Sequence, residues 1–238
     1  MNELALFTGA GGSLLTSKLL GWRTICAVEI EKYNIELLLQ RQEDGALDPF
    51  PIWDDVRTFN GRPFCGCVDV ITAGFPCQPF STAGPRWGAG DSKNMWPDTI
   101  RIAREVEPSY IFLENVSELL TSGYFPQVAS DLVESGYSFR WRVLSAAEMG
   151  APHHRNRLWI VAYASSVALE EKHMHGRGVS SGRTIQEETY RSSCKAWWSA
   201  APGIPRVDDG VANRVDRIKS IGNGWVPGVA RFAWQCLT

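Results

Sequence analysis

Apolar and polar residues along the chain alternate between two periods. Leu4-Ala5-Leu6-Phe7 is a short unbroken apolar run, Gly9-Ala10-Gly11-Gly12 ends it, and apolar residues recur at helical spacing from Ser13 to Leu20. A strand, a tight turn and a helix are predicted in that order. Gly21 stops the helix, Thr24 to Val28 reads as a second strand, and Lys32 to Arg41 resumes helical spacing. Further strands are expected at Val68–Ala73 and Tyr110–Leu113, helices near Asp98–Val106 and Phe125–Glu134, and last strands at Tyr137–Val143 and Leu158–Tyr163. This alternation predicts an α/β fold with a mostly parallel, doubly wound sheet covered by helices on both faces.

The pattern breaks at Ala164. From there to about Arg206 the chain is rich in Ser, Gly and charge, has little periodicity, and carries Arg177, Arg183, Arg191, Trp197 and Trp198. A small loop-rich insertion is expected, with a flexible surface excursion as the alternative. Regularity returns at Val215 to Ile221, and Pro227 to Cys236 reads as a closing helix with Pro in its first turn. The expected organisation is a main domain over 1–163, the insertion over 164–207, and a segment over 208–238 that returns to the main domain.

A chain of 238 residues, 44% hydrophobic and 21% charged, has room for one such domain and a small appendage. No apolar run approaches the roughly 20 residues that cross a bilayer, so no membrane partner is expected. Met1 to Phe7 enters a strand pattern at once, which leaves no place for a secretory leader. Six cysteines at irregular spacing point away from a disulfide scaffold and toward the reducing cytoplasm. Cys65 and Cys67 form a Cys-x-Cys without a second pair, so no metal site is expected. The net charge of −2 hides an asymmetry: residues 1–139 hold 10 Lys+Arg against 18 Asp+Glu, whereas 140–238 hold 14 against 8. The basic half is where phosphate contacts would be sought.

Two places carry candidate chemistry. The glycine turn between first strand and first helix is a ready nucleotide site, because free N–H groups at a helix start point into it. Glu29, ending the second strand, can accept from ribose hydroxyls. The dinucleotide fingerprint is incomplete, with Leu14 three residues after Gly11. These features alone leave NAD and S-adenosylmethionine (AdoMet) both open. The second place is Gly74-Phe75-Pro76-Cys77-Gln78-Pro79-Phe80-Ser81, directly after a predicted strand. A cysteine at the carboxyl end of a parallel strand lies in the crevice where such folds bind ligands. Pro76 and Pro79 stiffen the loop around it.

Phe7 to Gly12, Gly74 to Ser81, and Glu114-Asn115-Val116 follow one another on successive strand ends, and Gly222-Asn223-Gly224-Trp225-Val226-Pro227 precedes the closing helix. In this order the stretches resemble the motifs of the cytosine-C5 DNA methyltransferases, whose fold is a Rossmann-like AdoMet-dependent methyltransferase domain. The resemblance implies Cys77 as the nucleophile that adds to C6 of a flipped cytosine. It implies Glu114 as the group that hydrogen-bonds or protonates the base, and Asn115 as the holder of the nucleophile loop. His153-His154-Arg155-Asn156-Arg157 resembles the family's Gln-x-Arg-x-Arg, with His153 in the place of Gln; Arg155 and Arg157 would bracket the base and its phosphate.

For AdoMet the resemblance implies Phe7 against the adenine, the turn Gly9, Ala10, Gly11 and Gly12, Glu29 on the ribose and Ile30 on the other adenine face. Asp55, followed by Val56, would accept from the adenine amino group, with Asp54 as a competitor. Asn223 and Val226 would close the methionine side, Gly74, Pro76 and Gly224 would also line the cofactor, and S-adenosylhomocysteine would be the product. Gln78, Ser81, Arg86 and Trp87 are expected against double-stranded DNA, and Gly84 to Gly90 is expected to be a lid. The stretch 164–207 stands where the family keeps its target-recognition domain and is short for that role, which implies a short or relaxed site read by a monomer. The abbreviated recognition region resembles orphan or phage-borne enzymes; a restriction-modification role stays open beside these. Two alternatives remain: an RNA cytosine methyltransferase, since a related branch acts on transfer RNA, and a catalytically silent AdoMet- or DNA-binding module.

Overall fold

Unbroken apolar runs become strands buried on both faces. The computed structural model describes residues 1–76, 94–165, 220 and 224–238. Among these, β1 (Asn2–Leu6), α1 (Gly12–Leu20), β2 (Arg23–Val28), α2 (Lys32–Glu43), β3 (Ile52–Trp53), β4 (Val70–Ala73), α3 (Trp96–Val106), β5 (Tyr110–Val116), α4 (Phe125–Glu134), β6 (Tyr137–Ser145), β7 (Asn156–Ala164) and α5 (Pro227–Leu237) follow in chain order. The strands form one seven-stranded sheet in the order β3-β2-β1-β4-β5-β7-β6. All neighbours pair in parallel except that β7 runs antiparallel to both β5 and β6. The expected mostly parallel sheet is therefore present, with one reversed strand near its edge.

Two boundaries and one further strand differ from the sequence reading in an informative way. β5 continues past Leu113 to Val116, because β7 pairs along its whole length, through Glu114↔Trp159 to Val116↔Arg157. The pairing carries two polar residues, Glu114 and Asn115, into a strand that apolar content alone would end. β3 has only two residues, too few to show a period. β4 begins at Val70 rather than Val68.

Helices cover both faces. On one side α3 buries Trp96, Thr99, Ile100, Ala103 and Val106, an i, i+3, i+4, i+7 stripe. It packs with Val128 and Leu132 of α4 on Leu4, Leu6, Val28, Ile71, Ala73 and Leu113. Each large apolar side chain so buried contributes roughly 1.5–3 kcal/mol. On the other side Leu14 and Leu38 from α1 and α2 cover Ala5 and Ala27, and Val229, Phe232 and Ala233 of α5 cover Val70, Phe112 and Val161. Pro at the first turn starts α3, α4 and α5. Gly21 closes α1 in the left-handed conformation, its N–H donating to the Lys18 carbonyl. No helix among the described residues is long and apolar enough to cross a membrane. The insertion over 164–207 lies almost wholly outside the described residues, as does the regular stretch at Val215–Ile221 apart from Ser220.

Candidate active site

The carboxyl ends of β1, β2, β4 and β5 and the start of antiparallel β7 meet along one edge of the sheet, and the chemistry-bearing residues gather there. The turn after β1 is built from backbone conformations that side chains seldom adopt: Phe7, Gly9 and Gly11 have φ of 55°, 53° and 87°. For Phe7, a bulky residue, a positive φ is costly and marks a site where the surroundings impose it. Glu29 pins the turn. Its carboxylate accepts from the Gly9 N–H at 2.6 Å, the Glu31 N–H at 2.9 Å and the Asn34 side-chain amide at 3.3 Å. Arg41 donates to the Ala10 carbonyl on the opposite flank.

The glycines of this turn do different things. A Cβ on Gly11 would lie 3.0 Å from Leu38 and 3.1 Å from Arg41, and one on Gly12 would lie 2.6 Å from the Trp225 carbonyl oxygen and 2.9 Å from its nitrogen. At Gly12 the Trp225 backbone leaves no room for a side chain, and at Gly11 the left-handed backbone conformation disfavours one as well. Of the three, only Gly9 would carry a Cβ that meets no described atom within 4 Å, so that side of the backbone is open to a ligand. The hydroxyls of Thr8 and Ser13 are buried without a hydrogen-bond partner among the described residues, and α1 has Gly11 as its N-cap and so no side-chain cap. Unspent donors around an open glycine suit a polar ligand such as AdoMet.

The chain leaves β4 through Gly74, Phe75 and Pro76, the three residues before Cys77. Phe75 is buried against Trp96, ring centroids 5.1 Å apart. Its carbonyl accepts from the Asn115 side-chain amide at 3.1 Å, while the Asn115 carbonyl oxygen takes the Val116 N–H at 2.8 Å. Both polar ends of this buried side chain are thereby used, and the chain is fixed two residues before Cys77. Because strand residues alternate, Glu114 faces the opposite side of the sheet from Asn115. There Arg157 Nε approaches Glu114 Oε1 to 2.8 Å. Oε1 is held by this ion pair and takes no further hydrogen bond among the described residues.

Burial pushes the Glu114 carboxyl up to about 7, against the downward pull of Arg157 and Arg155. Burial wins because a charge of either sign is costly here. It also lowers the Arg155 guanidinium from its ordinary value, with Arg157 adding to the effect and Glu114 opposing it. Arg155 Nη2 donates to the Gly224 carbonyl at 2.7 Å, and Arg157 Nη1 to the Asn156 carbonyl at 2.8 Å. His153 and His154 are exposed.

Other expected residues stand further out. Ile30 is 59% exposed. Asp55 is held in a fork by Arg57, at 2.9 and 3.1 Å from Nε and 2.7 Å from Nη2. That hydrogen bonding keeps its carboxyl below the usual range. An adenine amino group would have to share this carboxylate. Asp54 is exposed, and the Val56 side chain belongs to the core. Pro76, Gly224 and Val226 are half-buried. Cys77, Gln78, Ser81, the Gly84–Gly90 stretch with Arg86 and Trp87, and Asn223 lie outside the described residues, as do Arg177, Arg183, Arg191, Trp197 and Trp198. Among the described residues no group of three or more His, Cys, Asp or Glu is placed to hold a metal ion.

One residue of the site was not singled out from the sequence. Trp225 is 8% exposed and stands edge-on to Phe112 and Trp159 at 5.2 and 5.1 Å. Its backbone fills the space beside Gly12, and its indole Nε1 lies 2.7 Å from where a Gly74 Cβ would be. A large aromatic after Gly-Asn-Gly was the available signal. Its two glycine partners lie about 150 and 210 residues away, and only the fold brings them to it.

A sheet in this order with a glycine turn, an acidic end to the second strand, and a proline-flanked cysteine after the fourth defines an AdoMet-dependent methyltransferase domain. The model of the C-5 cytosine-specific DNA methylase family matches residues 1–196, and the chain belongs to that family. It is 34% identical over 163 residues to the type II methyltransferase M.NgoMIV of Neisseria gonorrhoeae, covering 67% of this chain and 51% of that protein. To M.CviJI of Paramecium bursaria Chlorella virus IL3A it is 33% identical over 171 residues, 71% of this chain and 44% of the relative. The chain thus spans about half the length of these curated relatives. Among solved structures, Schizosaccharomyces pombe Dnmt2 methyltransferase superposes with a TM-score of 0.63 at 17% identity, over 98% of this chain and 97% of that one. Spodoptera frugiperda DNMT2 gives 0.57 at 22% identity, over 70% and 50%. These two likenesses concern the fold.

Proposed function

We propose that this chain methylates C5 of cytosine in double-stranded DNA, acting on a base extruded from the helix. The observation that carries the reading is the Glu114 carboxyl: buried, raised toward neutrality, with Oε1 paired to Arg157 and Oε2 close to Gly74. Such a carboxyl can hold a proton near pH 7 and give it to N3 of a cytosine. The Cys77 thiolate adds to C6; protonation or hydrogen bonding at N3 by Glu114 draws the electron pair toward the ring nitrogen and leaves C5 enamine-like and nucleophilic. AdoMet, when bound, supplies the electrophilic methyl group. A base then removes the C5 proton, and Cys77 leaves as the C5–C6 double bond returns. Asn115 keeps the preceding chain in place, and Arg155 and Arg157 hold the base and its phosphate.

Phe7, Gly9, Glu29 and the start of α1 are the residues that fit the cofactor, with Asn223 and Val226 on the methionine side. Residues 1–163 form the catalytic part, 164–207 the short recognition region and 208–238 the return to it; the enzyme acts as a monomer in the cytoplasm without a metal. The test is incubation with radiolabelled AdoMet and DNA or RNA, followed by bisulfite sequencing of DNA from cells expressing the chain. Label in DNA at C5 of cytosine is expected, with a covalent complex on 5-fluorocytosine DNA that Cys77→Ser abolishes. Label confined to RNA, or to neither, overturns the reading.

A further inference from the structure

Trp225 touches both halves of the reaction centre. Its carbonyl oxygen and nitrogen stand where a Cβ on Gly12 would be, at 2.6 and 2.9 Å, and Nε1 and Cδ1 of its ring stand 2.7 and 3.5 Å from a Cβ on Gly74. Glu114 Oε2 is 3.4 Å from that same point. Gly12 begins α1 under the cofactor turn, and Gly74 lies three residues before Cys77. The ring stands edge-on against Phe112 and Trp159, which stack on each other, and Trp159 is the β7 residue paired with Glu114. The residue before it, Gly224, accepts from Arg155. A rigid aromatic so wedged has little freedom to yield.

We infer that Trp225 is a positioning residue: a strut that sets the distance between the cofactor turn at Gly12 and the nucleophile strand end at Gly74. The inference rests on the methyl-transfer function proposed above. Its physical basis is that in-line transfer tolerates little error, a misplacement of about 1 Å costing on the order of 100-fold in rate. Neither Gly12 nor Gly74 has a positive φ to explain its lack of a side chain. Contact with Trp225 explains both.

The experiment uses the full chain and three variants: Trp225→Leu, Gly74→Ala and the two combined. Melting temperature, equilibrium AdoMet binding and single-turnover methyl transfer to DNA are read for each. Trp225→Leu removes the ring atoms that face Gly74, which a Phe ring would replace; it is expected to melt within about 15 °C of wild type, to bind AdoMet within about threefold, and to lose at least about tenfold in the transfer rate. Gly74→Ala should lose about 100-fold, since its new methyl meets the indole, and the double variant should recover about tenfold over Gly74→Ala, because the shorter side chain vacates that space. Wild-type transfer by folded Trp225→Leu, or a double variant no faster than Gly74→Ala, overturns the inference. Should Trp225→Leu not fold, Trp225→Met takes its place with the same readouts; collapse of both assigns Trp225 to the core and overturns the strut. A wild-type chain that transfers no methyl group overturns the proposed function itself, an outcome distinct from an active wild type with indifferent variants.

Discussion

Arg157 Nε stands 2.8 Å from Glu114 Oε1, yet the carboxyl is held up at about 7. Opposite charge and burial act against each other, and burial prevails. The proton therefore resides on Glu114 over much of the range below neutrality, the form that the proposed donation to a base uses. Transfer rates should fall as pH rises through about 7. Glu114→Gln, which keeps an N–H donor but cannot titrate, should be slower by about 100-fold and flat across that range. A wild-type rate that rises steadily from pH 6 to 9 would count against the role.

The same shift has a consequence for stability. The folded carboxyl binds its proton more tightly than the unfolded one, whose ordinary value is 4.5. The stabilising contribution is complete below 4.5 and is lost as pH rises through about 7. Thermal melts between pH 4.5 and 8 should show wild type losing stability relative to Glu114→Gln across that window, with the difference levelling off above it. Equal pH dependence in the two proteins would mean that Glu114 is solvated.

Much of this arrangement is legible in the sequence. Phe125 to Glu134 forms the helix its periodicity predicts, and the strand that leads to Glu114 is visible because Tyr110 to Leu113 is so apolar, although its continuation through Val116 is not. The strand order and the reversal of β7 are not visible, since they depend on which distant partner each apolar run pairs with. Gly12 shows the same division. As part of a glycine turn it reads as an opening for a nucleotide; in the fold that opening is taken by the Trp225 backbone, and Gly9 alone stays open. Local pattern reveals that a residue must be small without revealing what approaches it.

Glu29 links the cofactor strand to the glycine turn through acceptors for two backbone N–H groups. Glu29→Gln places an amide donor against one of those donors and should distort the turn. AdoMet affinity is expected to weaken by at least about tenfold, with the rate at saturating AdoMet nearly unchanged. Calorimetric titration and single-turnover kinetics separate the two effects. A fall in saturated rate without a change in affinity would place Glu29 outside the cofactor site.

Asn115 offers the sharpest separation between holding and reacting. Its amide N–H reaches Phe75, not the reacting atoms, and its carbonyl stays within its own strand. Asn115→Ala leaves the Phe75 carbonyl buried and without this donor, a cost of about 1–3 kcal/mol in stability. The chain before Cys77 then loses its anchor, so covalent capture on 5-fluorocytosine DNA should slow by about 10- to 100-fold while AdoMet binding stays near wild type. Asn115→Asp should be at least as slow, because a carboxylate would face the Phe75 carbonyl oxygen. If Asn115→Ala captures DNA at the wild-type rate, the loop is held by other contacts, and the anchor role fails even though the hydrogen bond exists.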